Sequence, residues 1–262
     1  MIKKFILITM ICFFLLASCM DETPKKAVFD VNTISDLDAT YRITLTTQCP
    51  TQIRNNQLYL IITGTFLHGN IDVQYPQIHG LRDDFREKAI NDLIKNDLPE
   101  TQVKKSIDYY KGDDKMDDKM DILALDLKYQ VTMHTEEILS VLYTGQAKLE
   151  GGAFSTSAVY AITIDLKNVT KLKLTDFTSI DSNLVEKIKQ STNVTNDAVK
   201  NGMDKKHLIA GVQNKNDQYI IDGLSEEWGY YTFCVTPNSL IVSIAISHAA
   251  GDYALIEIQV IT

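Results

Sequence analysis

Three apolar runs rich in β-branched residues, at positions 122–133, 138–144 and 157–164, are separated by His134-Thr135-Glu136-Glu137 and by a stretch with turn chemistry at Gly151-Gly152. They read as consecutive strands, and the turn signals between them lead to the expectation of antiparallel pairing. The end of the chain repeats the pattern. Strand-like stretches at 219–221, 230–235, 240–247 and 254–261 are broken by Thr236-Pro237-Asn238-Ser239 and Ala249-Ala250-Gly251-Asp252.

Two further strands are expected at 41–48 and 58–66, joined by a polar turn around Arg54-Asn55-Asn56. Tyr75-Pro76-Gln77-Ile78 then precedes a helical stretch in which Phe85, Ala89, Leu93 and Ile94 recur at three- to four-residue spacing. Pro99-Glu100 opens a second helix reaching about Tyr110. Later, 172–177 reads as a short return, and helices are expected at 184–190 and 197–202, the latter stopped by Gly202. Strands, then helices, then strands joined by tight turns define an α+β fold: a mostly antiparallel sheet with helices packed on one side, after a cleaved lipoprotein signal and a flexible tether. The expected divisions are a signal at 1–18, a lipidated cysteine and tether at 19–38, a first α+β domain or subdomain at 39–178, and a second α+β subdomain at 179–262 closing the same fold.

The signal reading rests on Lys3 and Lys4, a short apolar run from Phe5 to Leu16, and Leu16-Ala17-Ser18-Cys19. The run is too short to span a bilayer and has the length of an export-signal core. Small residues ahead of Cys19 fit lipoprotein processing, in which the thiol takes a diacylglycerol and cysteine becomes the first residue. The alternative is an ordinary secretory signal with an incidental cysteine. Lipid anchoring implies the outer face of the cytoplasmic membrane, or the outer membrane where two membranes exist. Removing residues 1–18 takes away two lysines and no acid, leaving 24 basic and 34 acidic residues, a net charge of −10. Such a balance disfavours nucleic acid, whose phosphates need a basic footprint, and leaves the acyl chain (palmitate among its candidates) as the link to the bilayer. It is compatible with a cationic protein partner. Cys12 leaves with the signal, so Cys49 and Cys234 remain either as one disulfide or as two buried thiols.

Motifs for chemistry are sparse. His68, His79, His134, His207 and His248 never fall at zinc-ligand spacing, and neither a phosphate loop nor a dinucleotide fingerprint is present, so no metal and no cofactor is expected. The tandem Asp114-Lys115-Met116-Asp117 and Asp118-Lys119-Met120-Asp121 lacks the glycine and the closing glutamate of a calcium loop, and reads as a solvated insertion. Serine in Gly151-Gly152-Ala153-Phe154-Ser155 is out of order for a nucleophile elbow. Trp228, Tyr230, Tyr231 and Phe233 cluster near a strand, where exposed rings would line a groove for sugar or peptide and alternate residues would divide between core and surface.

Tyr75-Pro76-Gln77-Ile78 with its helix, Gly151-Gly152-Ala153 after a strand pair, and Phe233-Cys234-Val235-Thr236-Pro237-Asn238-Ser239-Leu240 leading to His248-Ala249-Ala250-Gly251-Asp252-Tyr253 occur in a familiar order. Together they resemble a pair of uncharacterised envelope domains, from about residue 40 to the end. That pair is found in the extracellular part of the lysozyme-sensing anti-sigma-V factor and in the non-catalytic region of a peptidoglycan deacetylase. The resemblance implies a non-catalytic α+β domain binding a protein or glycan, with lysozyme or peptidoglycan as first ligands. Its candidate surface comprises Gly151, Gly152, Phe154, Trp228, Tyr231, His248, Asp252 and Tyr253. Phe154 stands where many relatives have histidine, and the deacetylase's metal-binding aspartate and histidines have no counterpart, so that activity is not implied. Two alternatives stay open: a peptidoglycan hydrolase built on His248, Asp252 and Tyr253, and a structural envelope scaffold. For Gly151, Gly152 and Gly251 a backbone role at turns comes before any contact with ligand.

Overall fold

Period-two burial organises the middle of the chain: Leu125 and Leu127 are buried while Asp126 and Lys128 face solvent. The computed structural model describes residues 27–28, 40–45, 59–97, 122–149, 154–200, 202, 204–227 and 229–259. Among the described residues a large sheet carries eight strands in chain order. They are β1 (Ala27–Val28), β2 (Thr40–Leu45), β3 (Leu60–His68), β4 (Ile71–His79), β5 (Ile122–His134), β6 (Ile138–Leu149), β7 (Thr156–Asp165) and β8 (Thr170–Lys171). All neighbours are antiparallel except β4 and β5, which run parallel where Ile71, Asp72 and Val73 meet Leu125, Asp126 and Leu127. β1 lies inside the stretch expected to be tether, where it pairs with β2 through Ala27 and Val28.

Tyr75-Pro76-Gln77-Ile78, expected only to lead into a helix, lies within strand β4. Proline is tolerated there because β5 follows β4 no further than Val73. Beyond that point Asn91 takes the place of a strand, accepting from the Ile78 N–H at 2.8 Å and donating to the Ile78 carbonyl at 2.9 Å. Pro76 is two residues from Ile78, so its nitrogen points to the same unpaired side and no ladder bond is lost. Asn91 belongs to helix α1 (Asp84–Asn96), capped by the Asp83 carboxylate on the Arg86 N–H at 3.0 Å. Ile90 and Ile94 anchor α1 on the sheet. Phe85, expected on that face, is 90% exposed. Five residues before Ile90, it is rotated about 140° away from the buried stripe.

The chain then builds helices α2 (Ser182–Gln190), α3 (Asp197–Lys200), α4 (Lys206–Gln213) and α5 (Asp217–Glu226), followed by β9 (Thr232–Val235), β10 (Ser239–Ala245) and β11 (Tyr253–Gln259). These strands form a second antiparallel sheet, ordered β11-β10-β9. Tyr219 and Ile221, expected in a strand, lie in α5. The Asn216 side chain caps that helix by accepting from the Tyr219 N–H at 3.2 Å, and Ile220 and Leu224 bury one face at i, i+4 spacing. Leu184, Ile188, Leu208, Val212 and Ile220 pack against Phe233, Val242, Ile244, Ala254 and Ile256. The other face of the small sheet, with Cys234, Ile241, Tyr253 and Leu255, meets Leu142, Val159 and Ala161 of the large one. The opposite face of β6 and β7 joins α1 through Tyr143, Tyr160, Ile162 and Ile164. The fold is therefore α+β and mostly antiparallel, with helices on one face of each sheet.

Close backbone approach fixes one glycine. A Cβ on Gly145 of β6 would stand 1.8 Å from the Asp126 carbonyl oxygen of β5, which no side-chain adjustment can relieve. The outward edge of β7 is closed by hydroxyls instead of a strand. Thr232 Oγ1 accepts from the Ala161 N–H at 3.2 Å and lies 3.5 Å from the Ala161 carbonyl, to which it donates. Ser140 Oγ accepts from the Val235 N–H at 3.0 Å and shares a bond of 2.9 Å with Thr163 Oγ1.

Two consequences are measurable. Thr232→Val keeps the shape but strands the buried Ala161 N–H, and is expected to lower unfolding free energy by about 1–3 kcal/mol at unchanged m-value in urea. A loss under about 0.5 kcal/mol, the scatter of ordinary surface substitutions, would show that the edge bond contributes little. Burial pushes the hydroxyls of Tyr143 and Tyr160 well above their usual value, and Tyr253 up to about 12, the Asp197 and Asp252 charges adding to its desolvation. Unfolded tyrosines release their protons from about pH 10, whereas the folded ones hold them. Stability is thus complete below pH 10 and is lost as pH rises through 10 to 12, because the unfolded state binds fewer protons. Urea midpoints measured from pH 9 to 12 should fall steeply, and a flat profile would contradict the burial of these rings.

Candidate functional site

The turn between β10 and β11 is a tight knot of backbone. Residues His248–Ala250 form one 3-10 turn, with the Ala250 N–H donating to the Ser247 carbonyl at 2.9 Å and the Gly251 N–H to the His248 carbonyl at 3.0 Å. Gly251 (φ 116°) and Asp252 (φ 72°) are both left-handed, a conformation natural to glycine and tolerated by aspartate. The Ile246 N–H donates to the Asp252 carbonyl at 2.8 Å and closes the loop.

This conformation turns the Asp252 side chain inward, to 7% exposure. Its Oδ1 lies 2.7 Å from His248 Nδ1, and its Oδ2 accepts from the Ser157 N–H at 2.7 Å. The second bond crosses 95 residues of sequence and reaches the first turn of β7 on its outward edge. One carboxylate therefore joins the start of β7 to the loop around Gly251. Two side chains stand out from this junction: His248 is 57% exposed, and Phe154, three residues before Ser157, is 75% exposed.

The remaining candidates divide. Tyr253 is buried and stacks on Tyr230 with ring centroids 6.0 Å apart, so it supports the loop from beneath and presents no surface. Tyr231 is buried in the helix-facing core, its ring against Gly223 and edge-on to Tyr219 at 6.0 Å, because strand alternation turns it inward. Both are corrected from surface to core. Gly151, Gly152 and Trp228 lie outside the described residues, as do Cys19, Cys49, the aspartate-rich duplication and the helix expected after Pro99. Cys234 is a free thiol between the two sheets, its pKa pushed up to about 12 by burial.

Ser157 was not among the expected site residues, since it contributes only a backbone N–H and carries no side-chain signal. Thr232 and Ser140 were missed too, although a hydroxyl inside an otherwise apolar strand marks a position where a partner must be found. Among the described residues no group of three or more His, Cys, Asp or Glu is placed to hold a metal ion, and no helix is long and apolar enough to cross a membrane. Chemically, the junction offers an oriented imidazole and a carboxylate already committed to two hydrogen bonds.

No family model matches the chain, and no curated protein matches it. Among solved structures, it is similar to a member of the DUF3298 family from Bacteroides fragilis NCTC 9343, at 12% identity and a TM-score of 0.40, covering 77% of this chain and 88% of that one. It is also similar to a DUF3298 family protein from Pseudomonas aeruginosa PAO1, at 11% identity and a TM-score of 0.36, covering 92% of each chain.

Proposed function

We propose that the chain is an envelope lipoprotein, tethered to a bilayer through acylated Cys19, whose α+β domain binds a protein or glycan ligand without transforming it. The observation that supports the reading is the Asp252 carboxylate, which ties the exposed His248 to the start of β7 through the Ser157 N–H. An imidazole oriented in this way on a sheet end has little entropy left to lose on binding. Lysozyme-like proteins and peptidoglycan are the first ligands to try, the former favoured by the net charge of −10 on residues 19–262. A carboxylate-oriented imidazole is also the arrangement of a general base, and this supports hydrolysis of peptidoglycan as the second reading.

Cys19→Ser is expected to release the protein from the membrane fraction and remove the acyl mass from its N-terminus, whereas retention would exclude Cys19 as the anchor. For binding, residues 20–262, which keep β1, are titrated calorimetrically with lysozyme, with soluble muropeptides, and with an unrelated basic protein. Saturable binding to one of the first two, absent from the control and weakened at least about fivefold by His248→Ala at unchanged Tm, supports the reading. Failure of both ligands overturns it, and release of new reducing ends or amines from peptidoglycan replaces it with hydrolysis.

A further inference from the structure

His248 and Asp252 have a polarity that the binding reading leaves open. The Ser157 N–H can only donate, so Asp252 Oδ2 accepts from it, and a carboxylate has no proton to offer its other neighbour. The bond between Asp252 Oδ1 and His248 Nδ1, at 2.7 Å, therefore requires the proton on Nδ1. A neutral imidazole protonated at Nδ1 is bare at Nε2, and this ring is more than half exposed. The Asp252 charge behind the ring also disfavours an anion in front of it.

We infer that Asp252 holds His248 in the Nδ1–H tautomer, so that the exposed Nε2 faces the ligand as a hydrogen-bond acceptor. The imidazole then selects a hydroxyl or amide N–H donor, which an N-acetylated sugar supplies, over a carboxylate oxygen at that same position. This rests on the binding reading of the same surface and names its ligand class. His248 is the contact residue and Asp252 a positioning residue.

Asp252→Asn is a sharp test. Its carboxamide oxygen stays on the Ser157 N–H, so the NH2 group turns to His248 Nδ1 and forces the proton to Nε2. Residues 20–262 with nitrogen-15 in the histidine rings are examined by long-range proton–nitrogen correlation at pH 8. The wild type is expected to show a protonated Nδ1 and a bare Nε2 at His248, and Asp252→Asn the reverse. With chitotriose as the probe, Asp252→Asn is expected to lose about tenfold or more in affinity. His248→Phe keeps an aromatic ring but lacks the acceptor and should lose as much; because it also removes the partner of the buried Asp252 Oδ1, its Tm is measured alongside and the comparison is made where it remains folded. A wild-type ring protonated at Nε2, or equal chitotriose affinity in wild type and His248→Phe, would overturn the inference. Lysozyme binding without chitotriose binding would also overturn it, leaving the broader binding reading intact. Failure of chitotriose, lysozyme and muropeptides alike would remove the two together.

Discussion

Everything in this fold depends on how the outward edge of β7 is closed. β8 covers Ile164 and Asp165 and the following Leu172 N–H reaches the Thr163 carbonyl at 2.7 Å, but from there back to Thr156 the outward edge has no strand beside it. An open edge invites pairing with another chain, and buried unpaired amides cost stability. Side chains of the second sheet resolve both problems, Thr232 at Ala161 and Asp252 at Ser157. Hydroxyl and carboxylate oxygens reach the edge without strand register, so the small sheet stacks on β6 and β7 rather than extending the large sheet. β11 is covered by side chain and backbone together: the Asn196 side chain bonds to the Leu255 N–H and the Tyr253 carbonyl, and the backbone of Asn193 and Thr195 flanks a single antiparallel bridge between Val194 and Ile256.

The candidate site is a by-product of that closure. Asp252 lies within the loop because its left-handed backbone turns the carboxylate toward β7, and one oxygen is spent on the Ser157 N–H. The other oxygen remains free to orient His248. Fold and candidate site share a single side chain, so the imidazole is oriented by a group that also bonds to a sheet edge. The surface is thereby rigid at its centre, the property a binding site needs to avoid ordering costs.

Strands β5, β6, β7, β9, β10 and β11 were legible because their apolar patterning and turn residues agree. β4 was not, since Pro76 argues against a strand unless its missing N–H points to an unpaired side, a fact of tertiary pairing. Tyr219 and Ile221 carry local β preference, and the Asn216 cap with Ile220 and Leu224 at helical spacing was the outvoted signal. α4 also escaped notice, its buried face being only Leu208 and Val212 over two turns. At the site, His248 and Asp252 were legible as neighbours four residues apart. Their link to β7 was not, because a backbone N–H has no letter in the sequence.

A second polar junction explains why β7 can serve as the common beam of both layers. Tyr160 donates to Asp97 at the C-cap of α1 and accepts from Lys171 Nζ at 2.9 Å, while Lys171 lies 3.2 Å from Glu227 at the C-cap of α5. The ammonium also sits 5.2 Å from the centre of the Tyr160 ring, and Asp97 lies 3.4 Å from it. Two anions around one cation would be costly if fully desolvated, but these side chains keep partial access to water and the phenol proton takes up part of the Asp97 charge. The ends of α1 and α5 are thereby tied to the middle of β7, three residues along from the Ser157 amide that Asp252 holds. Helices from the two halves of the chain and the loop between β10 and β11 all converge on this one strand.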